Sequence, residues 1–217
     1  MTFVQSTALA LLPGTLARLT DTAPDLRIEV VQRETAPALA DLRSRSVDLV
    51  VGIEYEPLPV ARHRDVHRQD VLREDVLLCL HPNHPALPRR GPVRLAACEH
   101  DAWATGHPGT GLDAVVRNVC NRLAGFEPDV RHRSDDGLVL GALVASGRAV
   151  ALLPALLAAT MPQIVACRLL EERLQRTIFT ATRTTTTQAP AVLGVREALH
   201  AAGRQVATGQ RDLDAFV

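Results

Sequence analysis

The sequence predicts an α/β fold built around parallel strands, and three observations predict it. Strand-like apolar runs alternate with helix-period runs through the first third of the 217-residue chain. The middle of the chain repeats that alternation. That repeat feeds one unbroken run, Ser134 to Pro154 (SDDGLVLGALVASGRAVALLP), which supplies polar caps, a helix, a glycine stop and a buried strand in that order. In its helix, Leu138, Val139, Leu140, Ala142, Leu143, Val144 and Ala145 are apolar on almost every side, which predicts packing against a sheet. Gly147 supplies the left-handed residue that closes a helix, and Ala149 to Leu153 reads as a strand buried on both faces.

Taken in order, Thr2 to Val4 starts a short strand, and Ser6 and Thr7 are N-cap residues for a helix with Leu12, Leu16 and Leu19 on one face. Pro24 ends it. Leu26, Ile28 and Val30 alternate with Arg27 and Glu29 as a half-buried strand does. Glu34 and Thr35 turn into a second helix carrying Leu39 and Leu42, and Asp48 leads into the apolar strand LVVGI. In such a sheet ligands collect beyond the carboxyl ends of the strands, here at Gln5–Thr7, Arg33–Thr35 and Gly52–Glu54.

Glu56 to Asp70, rich in proline, histidine and arginine, reads as a surface connection, and order resumes with a strand at Val76–Leu80. Val93–Cys98 is a short helix and Ala102–Thr105 a strand. After the glycine-rich loop Gly106–Gly111, Leu112, Val115, Val116, Val119 and Leu123 recur at helical spacing up to Pro128. Asp129–Arg133 is a strand feeding the central run. Ala155–Ala159 is a short helix, Ile164–Leu170 and Thr177–Ala181 are strands, and Thr184–Thr187 is a polar loop. Pro190 then opens a last helix carrying Val192, Val195 and Leu199.

Composition excludes several classes of function. Hydrophobic residues make up 47% and charged residues 22%, with no run long enough to span a bilayer. The N-terminus lacks the basic start of a signal peptide, which predicts a cytoplasmic protein. All 24 basic residues are arginine, they balance 24 acidic ones, and they are interleaved with them, so the chain carries no basic face of its own for DNA. Cys79, Cys98, Cys120 and Cys167 show neither redox nor zinc spacing and read as reduced, mostly buried thiols.

No nucleophile turn, Walker loop or zinc-protease helix is present. His81 and His84 are each followed by proline, which disfavours the helix that would place them on one face, so no metal site is expected there. Glu99, His100 and Asp101 are consecutive and point in different directions, as in a solvated loop. The glycines at 106, 109 and 111 either wrap an anion or simply lead into a helix. Ser6, Thr7, Thr35, Thr105, Ser134 and Asp135 share a different property: all are small polar residues at strand-to-helix turns. Singly each serves as an N-cap; together they read as a pocket for a small polar or anionic molecule.

The opening FVQSTALALLPGTLARL with TAPDLRIEVVQ, then LRSRSVDLVVGI, EDVLLCLHPNHP and LVASGRAVALLP, resemble in order the effector-binding domain of the LysR-type transcriptional regulators. The resemblance covers nearly the whole chain. It implies two Rossmann-like subdomains joined by two crossover strands, as in type 2 periplasmic binding proteins, with an effector cleft between them. The expected subdomains are 1–75 with 171–217, and 76–170. Carried over by position, the cleft residues are Ser6, Thr7, Thr35, Gly52 and Ile53 from one lobe, and Thr105, Gly106, His107, Ser134 and Asp135 from the other.

The same resemblance implies a small-molecule effector, no cofactor and no catalysis. It implies a homodimer through this domain, with the helix from Ala8 and the strand Leu26–Val31 against the partner's Leu112–Leu123 helix, and a tetramer in a full-length regulator. DNA would be contacted only through a winged helix that is not in this sequence. Helix N-termini and arginines such as Arg33 point to a carboxylate or other anion. A solute-binding protein of a transport system is the alternative, since it shares the cleft architecture. Two departures stand out: the first strand is short, and the family's His-Pro-Leu-Ala is here His84, Pro85, Ala86, Leu87.

Overall fold

The computed structural model describes residues 1–208 and 213–216; the remainder of the expected C-terminal end, 209–212 and 217, lies outside the described residues. The chain divides into two compact units, one comprising Met1–Glu54, Pro59–Glu74 and Thr177–Val217, the other Tyr55–Leu58 and Asp75–Arg176.

In the first unit, β1 (Thr2–Phe3) lies between β2 (Val31–Gln32) and β3 (Val50–Tyr55), parallel to both. The sheet continues through β9 (Gln175–Arg183) and β4 (Val66–Leu80) to β10 (Leu213–Ala215), the last antiparallel to β4. The sheet is therefore mixed rather than wholly parallel. Helix α1 (Gln5–Thr22) packs along α6 (Pro190–Ala207), and α2 (Thr35–Arg43) buries Ala38, Leu39 and Leu42 in a core with Val50, Phe179 and Ala181.

In the second unit, β7 (Ala151–Pro154) and β8 (Val165–Cys167) both pair antiparallel with the C-terminal part of β4. β5 (Ala102–Thr105) pairs parallel with β6 (Asp129–Arg133), and a parallel bridge from Trp103 to Val150 ties them to the residues entering β7. Around these strands lie α3 (Gly111–Val119), α4 (Gly137–Ala145) and the short α5 (Ala155–Ala158). Its core gathers Cys79, Ala104, Leu140, Val144, Leu153, Leu157 and Met161.

The central run folds as its sequence indicates: Asp136 caps α4 by accepting from the Leu138 N–H at 2.8 Å, and Gly147 closes it at φ +69°. Several elements differ from expectation. The buried stripe of α1 is Thr7, Leu11, Thr15 and Leu19, while Leu9 and Leu16 face outward at 50% and 38% exposure. The threonines are tolerated inside because their hydroxyls bond back along the chain, Thr15 to Leu11 O at 2.7 Å and Thr7 to Val4 O at 2.7 Å. Pro13 sits within α1, so the carbonyl of the exposed Leu9 loses its helical donor on the side open to water.

The expected strand at 26–30 is not formed, and pairing is confined to Val31–Gln32. β4 begins at Val66, ten residues earlier than the apolar run, because its polar half is held by side-chain pairing. Arg68 lies 3.8 Å over the Phe179 ring and pairs with Glu54 at 2.7 Å and Asp70 at 2.8 Å. α4 is not enclosed all round, since Leu138 and Val139 are 43% and 46% exposed. The helix expected across 112–123 is α-helical only to Val119; Cys120–Ala124 forms one wider π turn, ended by Gly125 at φ +74°.

Candidate functional site

In the first unit, three of the predicted residues, Thr35, Gly52 and Ile53, meet where β3 adjoins α2. Thr35, the first residue of α2, accepts the Ile53 N–H at 3.0 Å and donates to the Ile53 carbonyl at 3.3 Å. Gly52 is fixed by contact: a Cβ there would lie 2.8 Å from the Phe179 ring and 3.1 Å from Thr35 Cγ2. Thr35, Gly52 and Ile53 are thus one packed knot with the Thr35 hydroxyl already committed. Thr7 is fully buried and its hydroxyl serves the first turn of α1, while Ser6 beside it is also buried. Neither α1 nor α2 has a side-chain cap hydrogen bond or an acidic residue in its first turn, although the N-cap residue of α2 is itself an acid, Glu34.

In the second unit, all five predicted residues come together on the turns following β5 and β6. Ser134 N–H donates to Thr105 O at 3.0 Å, and Ser134 Oγ accepts from Asp136 N–H at 3.0 Å. Asp135 accepts the His107 backbone N–H at 2.9 Å and faces His107 Nδ1 at 3.1 Å; both side chains are open to solvent. Gly106 is again required, since a Cβ would lie 2.3 Å from Thr110 Oγ1 and 3.2 Å from Asp135 Oδ1. The Thr105 hydroxyl is buried without a hydrogen-bond partner among the described residues.

Sequence reading missed what braces this loop. Arg133 donates to Gly106 O at 3.1 Å and to the buried Asp113 at 2.8 Å, and Asp113 also pairs with Arg117. Thr110 caps α3 by accepting from Asp113 N–H. The signal was present as Thr-Gly-Leu-Asp, a Ser/Thr residue followed three places on by a carboxylate. Arg68 was likewise passed over, in a stretch read as surface connection, and so was its pairing with Glu54. Arg68 lines a pocket of about 70 Å³ together with Leu39, Val60, Phe179 and Ala181. A larger groove of about 500 Å³ in the same unit runs past Leu26, Ile28, Val31, Val192 and Val195 and touches none of the predicted site residues.

The turns of each unit present hydroxyls and backbone N–H groups, and those of the second unit add the His107–Asp135 pair, groups of the kind that recognise small polar molecules. Residues 1–204 match the family described as the LysR substrate binding domain. The chain belongs to that family. Solved structures of LysR-family proteins share its fold. A mutant of Corynebacterium glutamicum OxyR aligns with TM-score 0.77 at 19% identity, covering 95% of this chain and 64% of that one. The regulatory domain of Neisseria meningitidis MetR gives 0.74 at 16% identity over 100% and 96% of the two chains. The effector binding domain of a BenM variant gives 0.77 at 20% identity over 99% and 97%. At such identities the likeness is one of fold. No curated protein sequence matches the chain.

LysR membership favours the regulatory reading over a transport protein, and the family is one of binding domains rather than enzymes. No helix among the described residues is long and apolar enough to cross a membrane.

Proposed function

We propose that this LysR substrate binding domain senses a small anionic effector, a carboxylate foremost, and that occupancy controls DNA binding by a longer regulator in the cytoplasm. The lobes of the sensor are read as 1–75 with 171–217, and 76–170. The effector is held jointly by the Ser6–Thr7, Thr35 and Gly52–Ile53 turns and by Thr105–His107 with Ser134 and Asp135. The observation that carries the anion is that α1 begins without a side-chain cap hydrogen bond or a first-turn acid, whereas α3 and α4 are capped by Thr110 and Asp136. His107, held by Asp135 and open to solvent, supplies a donor from the second unit. Control follows only if the effector binds the regulator's two states unequally.

A thermal-shift screen of small carboxylates and other metabolite anions tests this. A true effector at a hundredfold excess over its Kd stabilises by about 2.7 kcal/mol through mass action. His107→Ala, a substitution at an exposed side chain, should leave the ligand-free melting temperature in place and weaken that effector roughly tenfold, the loss of one hydrogen bond to a charged group. An effector whose affinity is the same in His107→Ala and in Thr35→Val would place binding elsewhere.

The homodimer is read through α1 and β2, because Leu9, Leu16, Val30 and Val31 present apolar surface on those elements and their flanks.

A further inference from the structure

One group of side chains in the second unit is not among the residues proposed to hold the effector. His84 lies in the turn after β4, Cys98 ends the 3-10 turn Leu95–Cys98, and Asp101 stands just before β5. An imidazole nitrogen, a sulfur and a carboxylate oxygen from these three lie within 4.8 Å of one another, the one such trio of His, Cys, Asp or Glu among the described residues. His84 Nε2 is 3.2 Å from Asp101 Oδ2. A tetrahedral zinc ion, bonded at about 2.0–2.3 Å, sets its neighbouring donors roughly 3.3–3.8 Å apart.

The surroundings fit an ion as well as the spacing does. The Cys98 carbonyl accepts the Asp101 N–H at 3.3 Å and the Trp103 Nε1–H at 3.2 Å, so a fully buried tryptophan fixes the loop that carries two of the donors. Cys98 is buried, whereas the His84 and Asp101 side chains are 13% and 31% exposed, which leaves an approach from the carboxylate side. One thiolate and one carboxylate cancel the charge of a dication, and the combination of sulfur and imidazole selects zinc-class ions over calcium or magnesium.

We propose that His84, Cys98 and Asp101 bind a first-row transition-metal dication of the zinc class, with water completing the coordination. In the metal-free protein Asp101 faces His84 Nε2, and His84 Nδ1 accepts the Ala86 N–H at 3.1 Å, which puts the ring proton on Nε2. On binding, the Cys98 thiol proton leaves to solvent and the ring proton moves from Nε2 to Nδ1. The ion takes the lone pairs of Sγ and Nε2 together with a carboxylate oxygen, and the Ala86 N–H gives up its bond. The clip would tie the turn after β4 to the turn before β5, independently of any effector.

Titration of tag-free, reduced, chelator-stripped protein with Co²⁺ tests the site. The expected result is one equivalent bound, with thiolate-to-cobalt charge-transfer absorption, the d–d bands of a tetrahedral ion, displacement by Zn²⁺ and faster amide exchange at Ala86. Cys98→Ser should abolish the charge-transfer band, His84→Gln should weaken Co²⁺ roughly tenfold or more, and Cys120→Ser should leave the band intact. Absence of the band at stoichiometric cobalt, or its persistence in Cys98→Ser, overturns the proposal. Should Cys98→Ser fail to fold by circular dichroism, unchanged cobalt affinity in His84→Gln overturns it instead.

Discussion

Glycine illustrates how residue type and surroundings decide an outcome together. At Gly52 an added Cβ meets a rigid aromatic ring, Phe179 at 2.8 Å, and at Gly194 in α6 it meets nothing within 4 Å. The same substitution should therefore have opposite signs. Gly52→Ala should destabilise by about 1–3 kcal/mol, the range for overpacking. Gly194→Ala should stabilise by about 0.5–1 kcal/mol through helix propensity alone. Urea midpoints at unchanged m-value measure both, and a neutral Gly52→Ala would mean that the knot of Phe179, Thr35 and Gly52 yields more easily than its contacts indicate. At this scale the sequence identified the polar positions of the turns but not their commitments. That Thr35 spends its hydroxyl on Ile53, or that Gly52 is held open for Phe179, depends on partners 18 and 127 positions away that no local pattern announces.

Elements were legible where a period was carried by apolar residues and lost where polar side chains occupied the inside. α4, Gly147 and β7 follow directly from caps, an apolar run and a left-handed stop, and α6 starts at Pro190 for the reason its missing N–H supplies. The first half of β4 hides its strand character because Arg68 and Asp70 stand where aliphatic residues would show a period of two. Leu26, Ile28 and Val30 show the reverse case, an alternation that earns no neighbour and stays unpaired. β4 also carries a well-connected buried charge in the second unit. Asp75, 1% exposed, accepts from Arg168 at 2.7 Å, Arg173 at 2.8 Å and Gln175 at 2.9 Å. Both arginines retain access to water, so the cost of removing the carboxylate is set by its lost hydrogen bonds rather than by stranded cations. Asp75→Ala should lower stability by about 2 kcal/mol by denaturant midpoint. A change within a few tenths would show that the arginines and Gln175 are served equally well by solvent.

For the whole molecule, exposed apolar side chains are the informative residue of folding, since scattered ones are ordinary and aligned ones are not. The leucines that sequence periodicity placed on one face of α1 divide in the structure: Leu19 is buried, while Leu16 is exposed on the outer face together with Leu9, seven positions before it. Threonine does the interior work instead. A helix that keeps Thr7 and Thr15 inside while turning leucines outward has its apolar surface arranged for a neighbour. β2 adds to this with Val31, 55% exposed on a strand that forms the edge of the sheet among the described residues. If a second copy of the chain is that neighbour, Leu9→Glu should convert a dimer to a monomer in light scattering coupled to size exclusion. It should also leave the monomer's own unfolding transition nearly unchanged, because a half-exposed side chain contributes little to its own unit. The size of the wild-type particle is the more searching half of the experiment. A monomeric wild type at tens of micromolar would detach the outward leucines from self-association, whereas a dimer that survives Leu9→Glu would assign assembly to another face, such as the exposed Leu138 and Val139 of α4.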